Sequence, residues 1–148
     1  MKIEIQIDKT LEEPVLLMKI PKLTEKLIEI IESLENIDED KAIFLTAKKE
    51  DSTFIIEPEK IEIMRTEGSI IKVYDRSGKD FDTNKTLNEL LELSSNFIRI
   101  SKSTIVNINR VDHIQPYFNG TMYIVMKNGI NDYISRKYLG DFKKILGL

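Results

Sequence analysis

The sequence predicts a mainly β protein with short helices, in which a β domain of about ten strands follows a small strand-helix element. Three observations carry this. From Ala42 onward, short runs rich in Ile, Val, Thr, Phe and Tyr recur between turn residues, as an all-β domain requires. Ahead of them, one alternating segment and one helical segment stand apart from the rest. A chain of 148 residues with 41% hydrophobic residues is sized for one domain plus an accessory piece and can build a real core.

Lys2-Ile-Glu-Ile-Gln-Ile-Asp8 alternates polar residues with Ile, the period of a half-buried strand. After Pro21, residues Leu23, Leu27, Ile30, Ile31 and Leu34 share one face of a helix. Asn36 to Asp40 is an acidic break. Residues 1–41 are therefore read as an accessory strand-helix element, too small for its own core, and residues 42–148 as the β domain.

In the β domain the expected strands are Ile43–Lys48, Thr53–Glu57, Ile61–Thr66, Ile70–Asp75, Lys79–Thr83, Phe97–Ser101, Thr104–Asn109, Val111–Gln115, Thr121–Lys127 and Ile130–Ile134. Glu67-Gly68-Ser69 and Arg76-Ser77-Gly78 punctuate them, and Asn128-Gly129 predicts a type I′ hairpin. Thr86-Leu-Asn-Glu89 is a capping box opening a helix with Leu87, Leu90 and Leu91 inward. Ser135 is the expected N-cap of a closing helix carrying Leu139, Phe142, Ile145 and Leu146, with Gly147 past its end.

Without cysteine there can be no disulfide, thiolate metal site or cysteine nucleophile, in agreement with a reducing cytosol. Apolar runs fall short of a membrane span and the N-terminus is no signal peptide, so a soluble, cytoplasmic protein is expected. The net charge of −3 hides a division: residues 97–148 hold 8 Lys/Arg against 3 Asp/Glu, while residues 1–96 hold 14 against 22. A locally basic surface attracts phosphate whatever the global charge.

The basic end also carries the most distinctive wording of the chain, Phe97-Ile-Arg-Ile-Ser-Lys-Ser-Thr-Ile-Val-Asn-Ile-Asn-Arg110, then Ile114-Gln-Pro-Tyr-Phe-Asn-Gly120 and Lys127-Asn-Gly129. This stretch resembles the core of the LytTR DNA-binding family, whose usual form is F-x-R-I-H-R-S-x-x-V-N, and the order of elements is similar from Ala42 to Leu148. Ser101-Lys102-Ser103 replaces the family's His-Arg-Ser. The resemblance implies a stand-alone bacterial transcription regulator, without a phospho-accepting receiver, that grips double-stranded DNA through loops of the β domain. The matching places are Gly68-Ser69-Ile70, Ser101-Lys102-Ser103 and Ser135-Arg136-Lys137. Lys102 and Lys137 are assigned to base edges, and Arg136, Ser101 and Ser103 to phosphate. A co-encoded membrane protein as a partner is also implied; cofactors, metals and a small-molecule substrate are not.

Other readings accompany these. Arg99, Lys102, Arg110, Arg136, Lys137, Lys143 and Lys144 form the basic set, which could also be ordinary solvated charge or the face of a protein-interaction module meeting an acidic partner. Asn107 is read as structural, Asn119-Gly120 as a turn, and most of Tyr117, Phe118, Tyr123, Tyr133 and Tyr138 as core. The single histidine, His113, is read as a surface or structural residue, and Glu57, Glu59 and Glu62 as solvated acidic surface. No nucleophile elbow, phosphate-binding loop or zinc spacing is present, so no enzyme is expected. The helix face Leu27, Ile30, Ile31 and Leu34, with Ile3, Ile5 and Ile7, is apolar enough to expect a homodimer through the N-terminal element, the alternative being that this face packs on the β domain of the same chain.

Overall fold

The computed structural model describes residues 2, 4–12, 15–35 and 43–148. It divides into two units, Met1–Lys41 and Ala42–Leu148.

In the first unit the described residues form one helix, α1 (Glu25–Glu35). Of the face the periodicity predicts, Leu27, Ile31 and Leu34 are partly covered, while Ile30 stays exposed and Leu23 lies exposed ahead of the helix. The expected strand does not form: Lys2 and the residues from Glu4 to Asp8 have no ladder partner, and Ile5 and Ile7 stay 83% and 88% exposed. Alternation prepares a segment for a sheet but cannot supply the neighbouring strand. Ile3, the acidic break Asn36 to Asp40 and Ala42 lie outside the described residues.

The second unit contains ten strands and two helices: β1 (Leu45–Lys49), β2 (Ser52–Ile56), β3 (Ile61–Glu67), β4 (Ile70–Asp75), β5 (Asp80–Thr83), α2 (Leu87–Leu91), β6 (Phe97–Arg99), β7 (Thr104–Asn107), β8 (Val111–Pro116), β9 (Met122–Met126), β10 (Asn131–Ile134) and α3 (Arg136–Ile145). All ladders are antiparallel, in a seven-stranded sheet of order β2-β1-β5-β4-β3-β7-β6 and a three-stranded sheet of order β10-β9-β8. One core gathers Leu45, Val73, Phe81 and Met64 under Leu87 and Leu90 of α2. The other packs Ile63, Ile100 and Val106 against Ile124, Met126 and Ile134 of the small sheet and Phe142 of α3. All four residues of β7 are buried, since Ile105 belongs to one core and Val106 to the other.

A bulge in β3 makes the two cores compatible. Ile61 pairs with Asp75 and Ile63 with the adjacent Tyr74, leaving Glu62 as the extra residue. Residues two apart on a regular strand face the same way. Here Ile61 enters the first core and Ile63 the second. Glu62 is fully buried, accepting from Arg110 Nε at 2.7 Å and from the Asn128 backbone N–H at 2.8 Å. It is not solvated acidic surface, and Arg110 is committed to it.

The helix signals hold with small changes. Thr86 and Glu89 close the capping box reciprocally, at 3.2 and 3.3 Å. Ser135 stands at the N-cap of α3, but its side chain makes no capping hydrogen bond, and Ile145 and Leu146 remain exposed although Phe142 is buried. The Asn128-Gly129 turn is not type I′. Only Gly129 takes positive φ, +89°, after a turn closed by Gly129 N–H to the Met126 carbonyl, the form of a type I turn with a glycine bulge. Asn128 is held out of the left-handed region by its bonds to Glu62, to the Asp75 carbonyl (2.9 Å) and to Ile130 N–H (2.9 Å).

Truncating Glu62 removes the acceptor that joins these elements and leaves the Arg110 guanidinium without its partner. Glu62→Ala is expected to lower the urea-unfolding free energy by about 3–5 kcal/mol, the usual cost of breaking a buried ion pair; a loss below about 1 kcal/mol, the range of a surface pair, would refute the role.

Candidate nucleic-acid interface

The three loops singled out in the sequence belong to different elements, and two backbone hydrogen bonds draw them to one end of the domain. Thr66 N–H, beside the β3–β4 turn, donates to the Ser103 carbonyl at 2.9 Å. Ser135 N–H, at the start of α3, donates to the Ile100 carbonyl at 2.9 Å. The β6–β7 loop is thus the middle member, with Gly68-Ser69 on one side and Arg136-Lys137 on the other.

Each loop is shaped from within. In the middle loop, Arg99 reaches back to donate to the Ser101 carbonyl (3.2 Å), the Lys102 carbonyl (2.7 Å) and Asn88 Oδ1 on α2 (3.2 Å). Ser101 Oγ accepts from Ser103 N–H at 3.2 Å. Arg99 therefore positions the loop, and Lys102 and Ser103 are left facing solvent with Ser101 half-buried beside them. In the β3–β4 turn, Gly68 adopts φ +65°, a region that side-chain-bearing residues rarely enter, and Gly68, Ser69 and Ile70 are exposed. At the helix start, Arg136 and Lys137 are exposed, the Lys137 ammonium lying 5.6 Å from the Tyr138 ring centre.

Polar contacts fasten the loops to the framework. Thr104 donates to Asp132 Oδ2 of β10 at 3.0 Å, and Arg65 donates to the Asn131 carbonyl at 3.3 Å, joining the two sheets behind the middle loop. Glu67 accepts from Tyr74 at 2.6 Å and from Arg65 at 2.9 Å. These bonds, the tyrosine's foremost, hold the Glu67 carboxyl below the usual carboxylate range.

Of the basic set, then, Arg99 and Arg110 are spent on structure. Lys102, Arg136 and Lys137 face outward at the shared end, and Lys143 and Lys144 occupy the last turn of α3, where the helix dipole favours cations. Asn107 is buried, donating to the Ile61 carbonyl at 3.0 Å and accepting from Asn109 N–H at 3.1 Å. His113 is on the surface beside Asp112, at 2.6 Å. Asn119 and Gly120 both take positive φ, as a turn requires. The expectation of a mostly core aromatic group fails: Tyr117, Phe118 and Tyr133 are 53%, 75% and 44% exposed. Arg99 as a loop clamp was also missed; its only signal was its place three residues before Lys102. Among the described residues no helix is long and apolar enough to cross a membrane, and no group of three or more acidic or histidine side chains is placed to hold a metal.

A family model for the LytTr DNA-binding domain matches residues 51–147. The chain belongs to this family of DNA-binding domains. It is similar to the sensory transduction protein LytT of Enterococcus faecalis, with 30% identity over 67% of this chain and 41% of that protein. It is also similar to the transcriptional regulatory protein LytR of Staphylococcus aureus, with 26% identity over 70% of this chain and 43% of that one. A solved LytTr DNA-binding domain from Bacillus cereus superposes with a TM-score of 0.66 and 26% identity, covering 71% of this chain and 97% of that structure. The chain spans less than half the length of these two curated relatives. The LytTr match covers all three loops and the hydrogen bonds that join them.

Because the folded-state value of Glu67 is depressed, its contribution to stability is fully present above the unfolded carboxylate value of about 4.3 and is lost as pH falls through the lower folded value. Tyr74→Phe removes the leading cause, so the Glu67 carboxyl is expected to titrate closer to that ordinary value. Carbon-detected NMR titration of both proteins checks this, and an unmoved midpoint would refute it.

Proposed function

We propose that this chain is a sequence-specific transcription regulator that binds double-stranded DNA with the three loops at one end of its LytTR domain. Lys102 and Lys137 address base edges, and Arg136, Ser101 and Ser103 hold phosphates, with Gly68 and Ser69 allowing the backbone of the β3–β4 turn to come close. The observation that carries the reading is the pair of hydrogen bonds, Thr66 to Ser103 and Ser135 to Ile100, which makes three sequence-distant loops one surface. Loops carrying one or two cations with Ser neighbours suit groove edges flanked by phosphate. Lysine is a point-like donor without the planar fork of arginine, so base discrimination at residue 102 is broader than a bidentate arginine would give. The protein works in the cytoplasm, and its activity is controlled by self-association or by a partner such as a co-encoded membrane protein.

Lys102→Ala and Lys137→Ala are each expected to cost about 1–3 kcal/mol on a duplex selected by the wild-type chain, and less on random DNA. Binding is expected to weaken steeply with salt, as counterion release demands. Fluorescence anisotropy with both duplexes at several salt concentrations measures both effects. Equal losses on the two duplexes would move these lysines to phosphate.

The N-terminal unit supports a second element of the reading, a homodimer. Leu16, Met18, Ile31 and Leu34 line one apolar hollow, and Leu23, Ile28 and Ile30 are also exposed. Dimerisation through this unit would seat two domains on repeated sites and raise avidity without new base contacts. Sedimentation equilibrium is expected to find dimers of the full chain at tens of micromolar; a monomer there would refute the dimer.

A further inference from the structure

The β8–β9 turn, Tyr117-Phe-Asn-Gly120, is assigned no role by the three-loop reading, yet it lies at the same end of the domain. Pro116 at the close of β8 pairs with Met122, which pairs in turn with Ile134 at the close of β10, one residue before Ser135. Ser135 is bonded to the middle loop, so the β8–β9 turn sits beside the start of α3. The two are close: a Cβ added to Gly120 would lie 3.4 Å from Arg136 Cδ, so the arginine stem passes beside the turn backbone.

The turn presents aromatic surface outward. On β9 and β10, Ile124, Met126 and Ile134 point into the core, so Tyr123 and Tyr133 face the other side of the small sheet. Tyr117 joins them, its ring centre 4.7 Å from that of Tyr133 and 6.3 Å from that of Tyr123. Phe118 stands at the tip, 75% exposed, on a turn held closed by Tyr117 N–H to the Thr121 carbonyl (3.0 Å) and Thr121 Oγ1 to the Phe118 carbonyl (2.7 Å). With Tyr117 and Tyr133 also exposed, Phe118 extends an aromatic patch rather than standing as a lone apolar residue, and such a patch marks a contact.

Resting on the reading above, we propose that this turn is a fourth DNA-contacting element. Phe118 packs on the sugar and base edges next to the phosphate gripped by Arg136, and the tyrosine cluster backs it as a rigid support. Double-stranded DNA is favoured over a protein partner by continuity with Arg136: a duplex gripped there has its backbone within reach of the neighbouring turn. An apolar ring can meet thymine methyls and deoxyribose without adding charge.

The test uses the full chain and a labelled duplex that the wild type has enriched from a random pool, with affinity measured by anisotropy across salt concentrations. Phe118→Ala is expected to weaken binding about tenfold, an apolar base-edge contact, with the salt slope of the wild type. Arg136→Ala, which removes a phosphate contact, is expected to lower that slope by about 1, so the two variants separate apolar from ionic contact. Phe118→Tyr keeps the ring and is expected to bind within about twofold of wild type. A Phe118→Ala protein that matches wild type while Lys102→Ala loses affinity would overturn the inference alone and leave the ring to a protein partner. Phe118→Tyr losing as much as Phe118→Ala would overturn it too. Failure of the wild type to enrich any duplex would overturn the regulator reading, and this inference with it.

Discussion

The bulge at Glu62 is the constraint on which the β domain depends. β3 lies inside the large sheet, between β4 and β7, and must serve a core on each side. The extra residue turns Ile61 and Ile63 to opposite faces and leaves a carboxylate in the interior. A buried charge is tolerated only when it is paired and hydrogen-bonded. Arg110 and the Asn128 N–H supply both, from the chain leading into β8 and from the β9–β10 turn. One side chain thus ties the small sheet to the large one. Asn128 adds a second tie through its own bond to the Asp75 carbonyl.

That tie acts at one end of the small sheet, and the three loops lie at the other. There the sheets are joined by Thr104 and Arg65 reaching β10 and by Ser135 bonding to Ile100. Fixing both ends leaves the loops short and internally bonded, with little conformational freedom of their own. Arg99 shows the same economy. Its guanidinium is used to shape the middle loop so that the neighbouring Lys102 points outward. A cation can serve an interface without touching the ligand.

Much of this was legible in the sequence because the signals are local. The ten strands fall where short β-branched runs lie between turn residues, and the Thr86 capping box forms as written. The misreadings are of another kind. Lys2 to Asp8 has the pattern of a strand but no partner strand, and Asn128-Gly129 departs from its preferred turn because Asn128 is bonded to Glu62 and Asp75. Phe118 and Tyr117 alternate with nothing that marks them as exposed. Their surroundings are set by β9 and β10 folding back beside them.

The sequence by itself determined the class of the fold, the position of nearly every strand and helix, and the basic wording from Phe97 to Arg110 with its family likeness. These depend on neighbours within a few residues, where backbone sterics and hydrophobic period act. Only the tertiary structure decided which charges are free. Glu62 and Arg110 lie 48 residues apart, and whether they meet each other or water depends on how two sheets pack. The same holds for Lys102 and Arg136, which share an end of the domain because a backbone hydrogen bond joins Ile100 to Ser135 across 35 residues.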